Sequence, residues 1–275
     1  YDTMATWMSN NNPWQLSAPK PKDYDKINLD RALNIYKESV GDATGQHFIF
    51  VGSLDEAKMK PLIAQYLGAL PASGKSLNWK DNGQRGLTGM QELKVYRGAD
   101  AKSQVEILWH GEVAYSPDLD FYADALAEIL NIRVIEKMRE EMSGIYGGGF
   151  NCTIGQRPFE NYSANLSFPC GPENVDKLIA AALAEIEQIK TNGPKEEDLA
   201  KIKTQWTEQH REQIKTNGYW MSELNNIQIF KTDPQRMLNY DKHLAALTVQ
   251  DIQNVAKIIF GGPNRATAVL YPEKK

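Results

Sequence analysis

Apolar residues recur along this chain with two different periods, and these periods predict where helices and strands lie. Over residues 117–138 they return every three or four positions, which is typical of the buried face of a long helix. Over residues 47–52 they form one short run that ends in glycine, which indicates a buried strand. By the same criteria, further strands are predicted over 92–97, 103–113, 145–155, 162–168 and 266–271. Further helices are predicted over 28–40, 55–67, 175–189, from 194 onward, 219–230, 234–244 and 248–259.

The order of these elements indicates a fold class. Neighbouring strands without an intervening helix imply an α+β fold, in which helices pack on a mixed, largely antiparallel sheet in an α/β sandwich-like arrangement. Residues 28–275 are expected to form this single domain. Residues 1–27, rich in Asn, Pro and Lys, are expected to be a linker or a strap, with Trp7 and Trp14 as apolar anchors.

Composition excludes several classes of partner. Hydrophobic residues make up 41% and charged residues 24% of the chain, the balance of an ordinary globular protein. A net charge of −4 argues against nucleic acid as a partner, and no apolar run approaches the roughly 20 residues of a membrane span. The start at Tyr1 is neither an initiator nor a signal peptide, so the chain is interpreted as part of a longer one. The compartment, secreted and periplasmic included, stays open.

The two cysteines flank a predicted hairpin turn at residues 156–159. Regular pairing about that turn sets Cys152 opposite a residue near Ser163, well short of Cys170. Because a disulfide needs Cα atoms within about 7 Å, both cysteines are expected to be free and buried.

The histidines do not suggest a metal site. None of the four has another histidine three to five residues away, and no His-x-x-Glu-His element occurs. The tripeptide of His110, Gly111 and Glu112 is the nearest imitation, but strand neighbours point to opposite faces. This segment is therefore expected to bind no metal itself. No nucleophile-elbow motif supports the remote alternative of an independent Ser or Cys hydrolase.

Arg139 and Tyr146 stand seven residues apart at the predicted corner between the long helix and the next strand. A guanidinium and a phenol placed there can converge on one substrate oxygen and stabilise its developing charge, each donor contributing roughly 3 kcal/mol. In the alternative interpretation, Arg139 satisfies helix carbonyls or pairs with Glu140 or Glu141, and Tyr146 is half-buried in a strand.

The triple glycine at 147–149 follows this pair directly. Glycine inside a strand is unfavourable and often marks a place where another backbone comes close. A bulge or a flexible entry to the strand explains it equally well, and both interpretations stay open.

Several segments, in the same order along the chain, together resemble the insulinase/pitrilysin-like (M16) zinc peptidases. Residues 138–146 resemble that family's leucine-arginine-glutamate and tyrosine element, with Met138 in place of the usual leucine. Residues 193–203 are similar to a threonine-glutamate-glutamate-leucine helix start of the family. The remaining similar segments are the opening strand and helix, at 47–55 and 66–71, and the closing helix, at 247–256.

The resemblance implies a LuxS/M16 metallohydrolase-like fold and a function. Because the chain lacks the zinc motif and has the Arg/Tyr pair, it looks like the C-terminal, substrate-binding half of a zinc metallopeptidase that hydrolyses peptides, inactive by itself. Zinc would be bound in a partner half, in the same longer chain or in a separate subunit. Arg139 and Tyr146 would hydrogen-bond the backbone or oxyanion of a peptide substrate. The alternative is a catalytically inert peptidase-like scaffold with a binding or assembly role.

Overall fold

The computed structural model describes residues 1–15, 17–75, 78–141, 144–145 and 147–273. The chain divides into two units, each assembled from separate stretches of sequence. We call residues 1–17, 81–208 and 239–275 the sheet unit, and residues 18–80 and 209–238 the helical unit. Among the described helices, none is long and apolar enough to cross a membrane.

The sheet unit contains a five-stranded sheet in the order β1-β5-β2-β4-β3. Only β1 and β5 pair in parallel; the other neighbours are antiparallel. The prediction of a mixed, largely antiparallel sheet with helices packed on it is therefore confirmed. The strands are β1 Met90–Tyr96, β2 Ser103–Glu112, β3 Gly149–Gly155, β4 Asn161–Cys170 and β5 Arg265–Tyr271.

The helices begin where the sequence provides caps. The Ser116 hydroxyl accepts a hydrogen bond from the Leu119 backbone N–H at 3.0 Å and starts α5. Thr248 and Asp251 form a capping box at the start of α11. The helices are α1 Asp2–Met8, α2 Pro21–Tyr24, α3 Leu29–Val40, α4 Glu56–Tyr66, α5 Pro117–Leu130, α6 Val175–Asn192, α7 Glu196–Gln213, α8 Asn217–Phe230, α9 Pro234–Leu238, α10 Tyr240–Ala246 and α11 Val249–Phe260.

One face of the sheet carries the hydrophobic core, which also includes side chains of α5, α6 and α11. Alternate residues of the central strands point into it because side chains along a strand alternate between faces. We call this the helix-covered face; β2 and β4 contribute Val105, Ile107, Trp109, Ala164, Leu166 and Phe168.

The residues between them form what we call the polar face: Gln104, Glu106, Leu108 and His110 of β2, and Ser163, Asn165 and Ser167 of β4. Their polar groups bond to one another across the strands. The Ser167 hydroxyl donates to Glu106 Oε1 at 2.7 Å and accepts from Gln104 Nε2 at 2.9 Å.

The N-terminal residues 1–17 belong to the sheet unit, where α1 contacts β5. The residue that α1 buries is Met4, which is 2% exposed, whereas Trp14 is 72% exposed. The expectation that Trp14 is an apolar anchor is therefore wrong. Trp14 follows a polar turn of three asparagines, Asn10, Asn11 and Asn12, and this turn does not place the indole against the sheet.

Two predictions of local structure need correction. Residues 47–51 form no strand, although their composition favours one; all the paired strands of the described chain belong to the sheet unit, and an apolar run without a neighbour to pair with gains no ladder of hydrogen bonds. The helix predicted over 234–244 is two short helices, α9 and α10.

The hairpin of β3 and β4 has the register expected from the sequence. Cys152 lies opposite Ala164, one residue from the predicted Ser163, and Cys170 lies opposite Ser103 at the other end of β4. Six residues of β4 separate the two positions, a distance of about 20 Å along a strand. Both cysteines are free and buried.

Candidate functional site

Arg139 lies where the long helix changes its winding. After α5 the chain continues as two π-helical turns, Asn131–Ile135 and Lys137–Glu141, and Arg139 is an exposed residue of the second turn. Such π-helical turns are rare and occur frequently at functional sites. Tyr146 lies outside the described residues, so the convergence of the two side chains stays a prediction.

Buried ion pairs fix these two turns to α6 and α7. Arg133 reaches Glu185 at 3.0 Å and Asp198 at 3.3 Å, and Lys137 reaches the other oxygen of Glu185 at 3.0 Å. The carboxylates of Glu185 and Asp198 are almost fully buried. Burial by itself would raise the pKa of Glu185, but hydrogen bonds from Lys137 and Arg133 outweigh it and the net shift is downward. The ion pairs therefore tie the first turn to α6 and α7, and the start of the second turn to α6.

Side chains of the long helix also bond to the backbone of the edge strand β3. The Asn131 amide donates to the Phe150 carbonyl at 2.9 Å and accepts from the Phe150 N–H at 2.7 Å. Three turns earlier, Asp120 Oδ1 accepts from the Ile154 N–H at 3.4 Å. The long helix and the strand that follows the candidate site are thus joined by side-chain to backbone bonds.

The glycines around the predicted corner are required by close packing. Gly148 has a φ of +145°, and a Cβ there would lie 2.8 Å from the Ser167 carbonyl oxygen of β4. A Cβ on Gly144 would lie 2.6 Å from Leu178 of α6. Of the two interpretations of the triple glycine, the structure favours a close backbone approach at Gly148.

The thiols do not suit nucleophilic chemistry. Burial raises the pKa of Cys152 to about 12 and that of Cys170 to about 11. Because the thiolate is the nucleophile, protonated thiols of this kind are unreactive at neutral pH. Within the described ranges, no group of three or more His, Cys, Asp or Glu side chains is arranged to hold a metal ion.

A cavity that sequence reasoning missed opens on the polar face, with His110 and Glu112 among its lining residues. His110 and Glu112 lie two positions apart on β2, so both side chains point to the same face of the sheet. Residues 84–88 and the end of α1 complete the cavity. The β3–β4 hairpin and Asn264 also line it, so five segments that are distant in sequence meet there and no local spacing could have indicated the cavity.

Comparison with known proteins places this fold and site in a class. A family model described as the peptidase M16 inactive domain matches residues 26–206. The chain therefore belongs to the peptidase M16 inactive-domain family.

Among sequence relatives, the chain is 24% identical over 261 residues to the probable zinc protease PqqL of Escherichia coli (strain K12), covering 90% of this chain and 26% of that protein. It is 24% identical over 213 residues to a zinc protease PQQL-like protein of Arabidopsis thaliana, covering 72% and 22%. The chain thus spans about a quarter of the length of these curated relatives.

Solved structures show the same fold at lower identity. The ferredoxin protease FusC, solved in complex with Arabidopsis ferredoxin, matches with a TM-score of 0.78 at 14% identity, over 99% of this chain and 30% of that one. A peptidase M16 inactive domain from Pseudomonas fluorescens matches with a TM-score of 0.70 at 13% identity, over 99% and 65%.

Proposed function

We propose that this chain is the non-catalytic, substrate-contacting half of a zinc metallopeptidase that hydrolyses peptides. Its membership of the M16 inactive-domain family supports this, as do relatives that are named zinc proteases. The His-x-x-Glu-His motif is absent from its sequence, so the zinc belongs to a partner half, in the same longer chain or in a separate subunit.

The observation that carries the proposal is the placement of Arg139. It is exposed on the second π-helical turn, whose first residue, Lys137, is paired with the buried Glu185 of α6. A side chain that reaches solvent from a fixed backbone can present hydrogen-bond donors with little reorganisation, which is what stabilisation of a developing charge requires.

In this function Arg139 donates hydrogen bonds to a carbonyl oxygen of the bound peptide. Tyr146 donates to the same oxygen, and both bonds strengthen as negative charge grows on it. Zinc in the partner half would supply a Lewis acid and an activated water. The part of this chain is to orient the peptide and to stabilise charge.

The test is chelator-sensitive cleavage of a quenched peptide by the full-length parent, compared with its Arg139→Ala and Tyr146→Phe variants. We expect each variant to keep its zinc and lose roughly 10²-fold or more in kcat, as for other oxyanion donors. Arg97→Ala is a matched control, because Arg97 is another exposed arginine of the sheet unit, paired only at the surface with Glu273.

Variants that cleave as fast as the parent would show that Arg139 and Tyr146 are structural. A parent that is inert toward every peptide tested would contradict the proposal and favour a scaffold with a binding or assembly role.

A further inference from the structure

Helix α3 and the apolar run that follows it resemble another helix and strand of the same chain, α11 and β5. Residues 28–51 align with residues 248–271 without a gap. Each helix has 12 residues. In this alignment the apolar run 48–51 falls on the last four residues of β5. The chain therefore contains the same kind of helix–strand element twice.

The two helices also begin and end alike. The side chains of Asn28 and Thr248 each accept a hydrogen bond from the backbone N–H three residues later, at 2.8 and 3.2 Å. Gly41 and Gly261 follow the last helical residues, and each donates its N–H at 2.9 Å to the carbonyl of a lysine four positions earlier. Both helices thus lead into the following segment at the same point.

The surroundings of the two helices differ. On α11, Val255 and Ala256 are 1% and 0% exposed, because they pack in the core of the sheet unit. The corresponding residues of α3, Ile35 and Tyr36, are 46% and 65% exposed.

Helix α3 has an apolar stripe, which we define as the exposed residues Leu29, Leu33, Tyr36 and Val40. They are three or four positions apart, the spacing of the buried face of a helix. Contiguous apolar surface of this kind that is left exposed marks an interaction site.

The segment after α3 shows the same contrast with its counterpart. Strand β5 pairs with β1 on one side and with β2 on the other. Residues 47–51 make no backbone–backbone hydrogen bond to any part of the chain that the structure describes, and Phe48 and Phe50 are nearly half exposed. This segment has the composition of a strand and lacks the neighbour that a strand needs.

We propose that residues 28–51 are an interaction surface for a second β-sheet, which the same longer protein contributes from outside these 275 residues. Residues 47–51 pair with a strand of that sheet through backbone hydrogen bonds, and the apolar stripe of α3 covers one of its faces. Helix α11 and strand β5 identify this occupant, because they make the same two kinds of contact with the sheet of the sheet unit. The occupant therefore has an open strand edge and an apolar face.

The relatives have enough further chain for such a sheet. This chain spans 65% of the Pseudomonas fluorescens inactive domain and about a quarter of the curated zinc protease relatives. The proposal uses neither Arg139 nor Tyr146 and does not depend on zinc, so its outcome is separate from the fate of the proposed function.

The test is hydrogen exchange of backbone amides in the intact parent protein and in the 275-residue chain. We expect the amides of residues 47–51 to exchange roughly 100-fold or more slowly in the parent, because amides in a paired strand exchange only when the structure opens. The amides of β5 are the internal control and are expected to exchange slowly in both samples, since β5 is paired on both sides.

Two variants of the parent refine the test. Ile35→Asp places a charge on α3 at the position of the buried Val255, so it should speed the exchange of residues 47–51 about tenfold or more. Asn34→Asp is the matched control, because it introduces the same side chain at the position of the exposed Asn254 and should leave the exchange unchanged. Slow exchange of β5 in both variants shows that the sheet unit stays folded.

The proposal is wrong if residues 47–51 exchange equally fast in the parent and in the 275-residue chain, or if the two variants behave alike. It is also wrong if the 275-residue chain forms a dimer in which these amides become protected, since the occupant is then a second copy of the chain. Sedimentation velocity over a range of concentrations detects such a dimer.

Discussion

The two faces of the sheet differ sharply although the same strands build both. On β4, Leu166 and Phe168 are completely buried on the helix-covered face. Ser167, between them, points to the polar face and hydrogen-bonds Glu106. Adjacent residues of one strand therefore contribute to different faces, because side chains along a strand alternate between the two sides of the sheet. The helix-covered face supplies most of the packing, whereas on the polar face the side chains hydrogen-bond one another across the strands.

The largest effect is expected from breaking the helix-covered face. Phe168→Ala should lower the free energy of unfolding by about 3–5 kcal/mol, because it removes a buried ring and leaves a cavity. Ser167→Ala, the neighbouring change on the polar face, should lower it by about 0.5–1.5 kcal/mol. Urea denaturation of both variants measures the difference, and equal losses would remove the distinction between the faces.

A second test asks how much the buried ion pairs on the helix-covered side of the sheet contribute to stability. Glu185→Gln should lower the free energy of unfolding by roughly 2–3 kcal/mol, since Arg133 and Lys137 lose a buried charged partner. This is less than the 3–5 kcal/mol typical of fully buried pairs, because both cations are partly exposed.

Glu187→Gln is the matched control for that change. It lies on the same helix and is paired with Lys190 at the surface, so we expect little change in the urea midpoint. If the two variants are equally stable, the buried ion pairs do not fix the π-helical turns.

The smallest effect concerns the pH dependence of stability. The pKa of Asp124 on α5 is raised from its ordinary 3.8 to about 6 by desolvation and by repulsion from Asp120 and Glu128. Between these two values the folded state holds a proton that the unfolded state has lost, so stability falls as the pH rises through this window.

Asp124→Asn should therefore match the parent below pH 4 and exceed it at pH 7. The gain is expected to be less than about 1 kcal/mol, because the residue as a whole is exposed and water screens the interaction. Thermal denaturation between pH 3.5 and 7 measures it, and parallel curves for the two proteins would mean that Asp124 titrates normally.

Much of the sheet unit could be predicted from the sequence, because its elements show strong periodicity. Strands β1, β2, β4 and β5 and the register at Cys152 were predicted within one to two residues. The π-helical turns were not predicted, since the wider period of a π-helix does not show in the apolar pattern over a single turn of five residues. The prediction of a buried strand over 47–52 was wrong on both counts, because the run has no neighbouring strand to pair with and Phe48 and Phe50 are nearly half exposed.

The candidate site was predictable only in part. Arg139 stands out because a glycine-rich segment follows it within a few residues. The ion pairs of Arg133 join the first π-helical turn to α6 and α7, and Asp198 of α7 lies 65 residues from Arg133 in sequence. The cavity lined by His110 joins segments that are still further apart. Local spacing contains no information about such contacts.

The bonds from Asn131 and Asp120 to β3 have a consequence for the sheet as a whole. An edge strand normally exposes a row of backbone donors and acceptors that can recruit another strand. Here, Phe150 gives its N–H and carbonyl, and Ile154 gives its N–H, to side chains of the long helix. A second copy of the chain or an extended peptide that continued the sheet beyond β3 would therefore have to displace those side chains at both positions.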